Sequence, residues 1–195
     1  GRILSTGTGR FPASALMSQP GQLTAGRWMT AVRDTSVVLG LTLFLPFVVH
    51  VLPSWDDSPL GAHLLPIFYA PLGALLLGRF GVALAASFLA PWINMLVTGH
   101  PVPPMAALLC LQLVVFLIAG QAMVRRKLPG WTVGPAGYLV ALLVSAALGS
   151  LFQILGQPLP LALPGLLPAL IRSLPGMLIL AGIGWWFSKQ HPLGA

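Results

Sequence analysis

Six apolar segments, most of them long enough to cross a membrane as helices, restrict the possible folds of this chain more than any other feature. They cover roughly Thr35–Leu52, His63–Leu77, Gly81–Thr98, Met105–Val124, Gly134–Leu155 and Leu166–Phe187. A helix needs about 20 apolar residues to cross about 30 Å of hydrocarbon. The pattern predicts an all-α integral membrane protein with about six transmembrane helices. The second segment is short and carries Pro66 and Pro71, so we expect neighbouring helices to bury it and satisfy its backbone.

The basic residues predict the orientation of these helices. They are Arg27, Arg33, Arg79, Arg125, Arg126, Lys127 and Lys189. If six helices alternate in direction, all of these residues fall on one side. Lys and Arg are enriched in cytoplasmic loops, so that side is predicted to be cytoplasmic, with both termini there. The connections on the opposite side contain no Lys or Arg. We expect a multi-pass protein of the bacterial inner (cytoplasmic) membrane.

The N-terminal segment differs in character from the rest of the chain. Residues 1–28 are more polar than the apolar segments, contain Gly and Ser, and show no apolar periodicity. We expect them to form a tail, either an added remnant or a native extension that docks on a partner. Residues 29–195 are predicted to form a single six-helix membrane domain.

Composition excludes several classes of function. Only 7% of the residues are charged, 3 of them are acidic, and none is glutamate. Sites built on catalytic glutamates or on glutamate-bridged metal pairs are therefore excluded. The sequence contains no G-x-S-x-G elbow and no P-loop, so we expect no enzymatic activity and no ATP hydrolysis by this chain. The net charge of +7 is explained by membrane topology, and no nucleic-acid binding is expected.

Metal and cofactor sites are also not expected. The single cysteine, Cys110, cannot form an internal disulfide or a cysteine-rich metal site. His50, His63 and His100 all fall on the predicted outer side, but they come from separate segments without the spacing of a metal motif. Hydrogen bonding is the favoured role for these histidines.

Polar side chains within the apolar segments lie mostly in the predicted outer half of the membrane. They are His50, His63, Asn94, Gln112, Gln153 and Arg172. Polar groups at membrane depth are costly and usually face the protein interior. The asymmetry predicts a polar cavity that opens outward above an apolar inner half, with Gln121 as the exception near the cytoplasmic end. Alternatively, individual amides only form interhelical hydrogen bonds, worth about 0.6 kcal/mol each.

Arg172 lies about two helical turns into the last segment and requires a negative partner, because an unpaired guanidinium in hydrocarbon costs several kcal/mol. Asp56 and Asp57 are the carboxylates on the predicted outer side. An anionic group of a ligand is the other candidate, and the sequence leaves both open.

Three stretches carry a resemblance to a known family. His63 to Met105 reads HLLPIFYAPLGALLLGRFGVALAASFLAPWINMLVTGHPVPPM, Leu111 to Gly120 reads LQLVVFLIAG, and Ser173 to Leu180 reads SLPGMLIL. Together they resemble the substrate-binding S components of energy-coupling-factor (ECF) transporters. The resemblance implies an S-component-like six-helix bundle in the lipid membrane that captures a vitamin-like small molecule from outside. It also implies partners, namely an ECF coupling membrane protein and two ATPases that hydrolyse ATP.

The resemblance and the polar pattern together give a set of candidate functional residues. The predicted ligand-binding residues are His63, Asn94, His100, Gln112, Gln153 and Arg172. The predicted partner-docking residues are Ser36 and Gly40, small side chains on one face of the first helix. The alternative function is that of a non-catalytic structural or assembly subunit of a larger membrane complex, since small residues also favour helix packing.

Overall fold

The computed structural model describes the backbone of residues 20–50, 63–99, 101–154 and 162–190, and the side chains of residues 26–49, 63–99, 101–152 and 162–190. Every regular element in these ranges is helical. The elements are α1 (Pro20–His50), a 3-10 turn (Pro66–Phe68), α2 (Tyr69–Leu76), α3 (Phe80–Thr98), α4 (Pro103–Arg125), α5 (Gly130–Ile154), a second 3-10 turn (Leu163–Gly165) and α6 (Leu166–Gln190). The chain divides into two units, residues 1–33 and 34–195, and the packing described below lies within the second.

Five of the described helical stretches are long and apolar enough to cross a membrane. They are Gly26–Val49, Phe80–Thr98, Pro103–Arg125, Gly130–Phe152 and Leu163–Gln190. The prediction of a multi-pass helical membrane protein is confirmed at this level. The bounds of α3 to α6 agree with the apolar segments to within about one helical turn.

The first helix begins well before the apolar segment that predicted it. Its first residue is Pro20, so residues 20–28, which were assigned to a polar tail, are helical. The predicted start at Thr35 marked only where the apolar run begins, and polar residues such as Gln22 and Arg27 are good helix formers. Proline is favoured at the first helical position because its missing N–H has no intrahelical partner there. As a consequence, Asp34 lies inside a helix rather than before it.

The second apolar segment is not one continuous helix over His63–Leu77. His63 and Leu64 are helical, and Leu65 adopts a left-handed conformation with φ of 56°; we call these three residues the turn that carries His63. The 3-10 turn follows, and α2 has 8 residues. Pro66 accounts for the break, because a residue that precedes proline is disfavoured in the helical region. At about 12 Å, α2 is too short to cross a membrane. The predicted burial of this segment is confirmed, since residues 71–76 are all buried.

The core lies around α2 and its neighbours. The ring of Phe68 packs edge-to-face on Phe116 of α4 and on Tyr138 of α5, at centroid distances of 5.1 and 5.3 Å. Leu72 and Leu75 of α2 are fully buried in the same cluster. In water, the burial of one such side chain would stabilise the fold by about 1.5–3 kcal/mol. In lipid, the stabilisation comes from van der Waals packing alone. The short helix is therefore held in place by its neighbours.

The basic residues that flank the helices lie at one end of this bundle; we call Arg79, the turn at residues 125–127 and the end of α6 with Lys189 the basic turns. A Cβ atom at Gly130 would clash with the side chain of Ser188, so the start of α5 and the end of α6 are in contact. Phe80, which follows Arg79, lines a pocket together with Arg125 and Arg126. Arg79, the turn after α4 and Lys189 consequently share one end, and the turn that carries His63 lies at the other end of α2.

Candidate functional site

The polar site at the end away from the basic turns starts from a close approach between the His63–Leu65 turn and α6. Gly176 makes this approach possible, because a Cβ atom there would lie 2.6 Å from Leu65 Cγ and 2.8 Å from the carbonyl oxygen of His63. These distances are shorter than any ordinary van der Waals contact. The glycine therefore fixes how near His63 can come to the helix that carries Arg172.

His63 uses one ring nitrogen to hold this position. Its Nδ1 lies 3.1 Å from the backbone carbonyl oxygen of Arg172. A carbonyl oxygen can only accept, so Nδ1 carries the proton and donates. In the neutral ring the other nitrogen, Nε2, is then an acceptor. Nε2 is buried and has no hydrogen-bond partner within the described part of the chain. A buried acceptor without a partner is uncommon and is suited to a donor group of a ligand.

Neighbouring hydroxyl groups do not use this acceptor. The hydroxyl of Tyr69 donates to the backbone oxygen of Leu64, in the turn that holds His63. The hydroxyl of Ser173, next to Arg172, donates to the backbone oxygen of Leu170. The first bond links α2 to the turn, the second lies within α6, and neither uses Nε2 of His63.

The side chain of Arg172 is exposed. Asp34 is the only acidic residue in the described ranges, and its carboxylate forms an ion pair with Arg79. Asp56 and Asp57, the proposed alternatives to an anionic ligand, lie outside the described residues. The source of the counter-charge for Arg172 therefore stays a prediction, with the same two alternatives that the sequence gives.

Asn94 and Gln112 lie at different levels of the α3–α4 pair. The thiol of Cys110 lies 3.7 Å from the backbone oxygen of Phe88, which sets the register of these antiparallel helices. Asn94 follows Phe88 by six residues in one direction, and Gln112 follows Cys110 by two in the other. Their separation along the axis is therefore about 12 Å, at about 1.5 Å per residue. Both side chains are half-buried.

The structure thus brings the ring of His63 to the backbone of Arg172, so two of the predicted ligand-binding residues are in contact. Asn94 lies nearer the end of the α3–α4 pair that is away from the basic turns, and Gln112 lies nearer the basic turns. His100 and the side chain of Gln153 lie outside the described residues, as does the side chain of His50. No cluster of three His, Cys, Asp or Glu side chains occurs in the ranges that the structure describes.

The predicted docking residues lie on an exposed face of α1. Ser36 and Gly40 are both exposed, and no atom lies within 4 Å of a Cβ placed on Gly40. Large apolar side chains share this part of the helix, among them Phe44 with 61% of its surface exposed. This part of α1 therefore has room for another helix.

A groove that the sequence did not predict runs between α1, α2 and α6. Its volume is about 960 Å³, and aliphatic and aromatic side chains, including Tyr69 and Phe187, form most of its wall. Asp34 and Arg79, which form an ion pair, line this groove near the basic turns. None of the six predicted ligand-binding residues lines this groove. The isolated carboxylate at Asp34, placed beside an apolar segment, was the one signal in the sequence.

Comparisons of the chain with protein-family models, with curated proteins and with solved structures find no match.

Proposed function

We propose that this chain is the solute-capture subunit of an ECF-type uptake transporter in the bacterial inner membrane. In this proposal a vitamin-like small molecule enters at the end of the bundle that holds His63 and Arg172. The observation that carries the proposal is the buried, unpartnered Nε2 acceptor of His63, whose Nδ1 donates to the backbone oxygen of Arg172. A site with an acceptor and a cation suits a small molecule that offers a donor and an anionic group.

The distribution of charge supports an outward opening of this site. Arg79, the basic residues of the turn after α4 and Lys189 lie at the opposite end of the bundle, which is the cytoplasmic end by the rule for positive residues. In the proposed topology, α2 and its flanking turn together form the sixth membrane-spanning segment, since α2 alone is too short to cross. A short helix of this kind is compatible with a membrane where other helices surround it.

The partner side of the proposal rests on α1. Ser36 and Gly40 offer a smooth strip on which a helix of a coupling protein can pack closely. The ATPases that drive uptake belong to the partner proteins. The exposed apolar residues of α1 also favour the second candidate function, a structural subunit that is held in a larger complex by this helix.

Ligand-induced stabilisation tests the capture function. A compound present at about 100 times its Kd raises the free energy of unfolding by about 2.7 kcal/mol. We expect one member of a panel of vitamins and their precursors to raise the midpoint of thermal unfolding of the detergent-purified protein. Arg172→Gln should abolish the shift, because the loss of one partner of a charge pair that the bound ligand buries costs about 2–5 kcal/mol.

Lys189→Gln provides the matched control, since it removes one cation at the opposite end of α6. This variant should keep the full shift. An equal shift in wild type and Arg172→Gln would exclude Arg172 as a ligand contact. If no compound shifts the wild type and no small molecule is released from it on denaturation, the capture function is wrong.

A further inference from the structure

A second pocket lies at the basic end of the bundle, between the start of α3 and the end of α4. Its volume is about 430 Å³, and its lining residues are Phe80, Ile118, Gln121, Ala122, Arg125 and Arg126. Gln121 is the polar residue that did not fit the outward cavity predicted from the sequence. The pocket is independent of the proposed capture site, which lies at the other end.

The lining residues of α4 form one stripe in which polarity changes along the helix axis. Ile118, Gln121, Ala122 and Arg125 occupy positions i, i+3, i+4 and i+7, which places them on one face. Ile118 is 56% exposed and apolar, Gln121 is half-buried and polar, and Arg125 is exposed and cationic. From Ile118 to Arg125 the stripe covers about 10 Å, enough to reach from a headgroup layer into hydrocarbon.

The electrostatics of the pocket favour an anion. Two arginines line it, none of its lining residues is acidic, and neither arginine forms an ion pair with any carboxylate in the described ranges. The helix α3 begins at Phe80, on the pocket wall, and no side chain caps it. Its first N–H groups therefore add a partial positive charge to that of the guanidinium groups.

Gln121 gives the pocket a neutral donor between the cationic and apolar parts. Its side-chain amide makes no hydrogen bond with any described residue. The order of the chemistry along the stripe is thus guanidinium, amide and aliphatic side chain. A phospholipid presents the complementary order, with its phosphate, its glycerol ester oxygens and its acyl chains.

From this match we propose that the pocket is a specific site for an anionic phospholipid of the leaflet that faces the basic turns. The phosphate binds Arg125 and Arg126, where guanidinium groups can donate two parallel hydrogen bonds. The amide of Gln121 donates to an ester oxygen, and an acyl chain lies along Ile118 and Phe80. Basic pockets between membrane helices on the cytoplasmic side are known to hold lipid headgroups in this way.

Lipid titration followed by native mass spectrometry measures this binding directly. The probes are phosphatidylglycerol, phosphatidylcholine and inorganic phosphate, each added to the detergent-purified full chain. Phosphatidylglycerol should bind in preference to phosphatidylcholine, and millimolar inorganic phosphate should not displace it. A basic residue that contacts the headgroup contributes about five-fold to lipid affinity, so Arg125→Gln should weaken binding by about five-fold, and Arg125→Gln with Arg126→Gln by about 25-fold.

Lys127→Gln is the matched control for Arg125→Gln, since each removes one charge from the same turn and Lys127 lies outside the pocket wall. It should weaken binding by less than about two-fold. Gln121→Leu keeps every charge and should weaken binding by about two- to ten-fold through the lost hydrogen bond. This variant keeps the test valid if the double arginine variant fails to fold.

Three results would overturn the proposal. Lys127→Gln could weaken binding as much as either arginine variant, which would assign the effect to the charge of the turn as a whole. Phosphatidylcholine could bind as tightly as phosphatidylglycerol. Inorganic phosphate could compete at equal concentration, which would make the pocket a site for free anions.

Discussion

A single methyl group at Gly176 should separate the turn that carries His63 from α6. In Gly176→Ala the new Cβ atom would lie 2.6 Å from Leu65 Cγ and 2.8 Å from two backbone atoms of the turn, the oxygen of His63 and the carbonyl carbon of Leu64. Ordinary contacts begin near 3.4 Å, so the turn must move by about 0.6 Å or more. Overpacking of this kind costs about 1–3 kcal/mol.

Gly182→Ala is the matched control on the same helix. No atom lies within 4 Å of a Cβ placed there. Both substitutions gain about 1 kcal/mol of helix propensity, which cancels when the two variants are compared. The difference between their free energies of unfolding therefore isolates the overlap at Gly176, about 1–3 kcal/mol.

Thermal unfolding in detergent measures this difference. For a chain of this size, 1 kcal/mol corresponds to about 2–4 °C, so Gly176→Ala should unfold about 2–12 °C below Gly182→Ala. Gly176→Ala should also weaken ligand binding, since it disturbs the hydrogen bond between His63 and the backbone of α6. Equal unfolding midpoints for the two variants would refute the close approach of the turn to α6.

Two further predictions concern α1. Arg79→Gln should lower the free energy of unfolding by about 1 kcal/mol, because the Asp34 side chain, 15% exposed, loses its guanidinium partner, while the 48% exposure of Arg79 limits the strength of the pair. Asp34→Asn should lower the free energy of unfolding less than Arg79→Gln does, because the Arg79 side chain that is left without its carboxylate is 48% exposed. In a double-mutant cycle measured by thermal unfolding, the double variant should be less destabilised than Arg79→Gln alone. Additive costs would contradict a direct pair. Ser36→Leu with Gly40→Leu should remove a co-purifying membrane partner while the protein still folds, whereas Gly81→Leu, at another open glycine, should retain that partner in a pull-down. Retention of the partner by the first variant would show that it docks elsewhere.

The sequence predicted the long helices well because their signal is local. Apolar runs of about 20 residues fix α3 to α6 through the thickness of the membrane. The start of α1 was missed because its first turns are polar, and hydropathy does not report on helix formation outside hydrocarbon. The break in the second segment was only half visible: Pro66 and Pro71 predicted a short and buried element, but not the left-handed residue at Leu65.

The site was predicted less completely because it depends on contacts between distant segments. His63 and Arg172 were both chosen as polar residues in apolar surroundings, and their contact joins residues 109 positions apart. Nothing in the sequence indicates that Gly176 permits this contact, since many glycines occur in these helices. The groove beside Asp34 was missed for the same reason, because three separate helices form its wall.

The most direct test of the capture function is the identity of what the protein carries when it is purified from its own membrane. Mass spectrometry of the small molecules released from wild type and from Arg172→Gln makes the comparison. We predict one organic compound in near-equimolar amount with the wild type and its loss from the variant. The absence of any such compound from the wild type, together with a stoichiometric protein partner, would contradict ligand capture and favour a structural subunit.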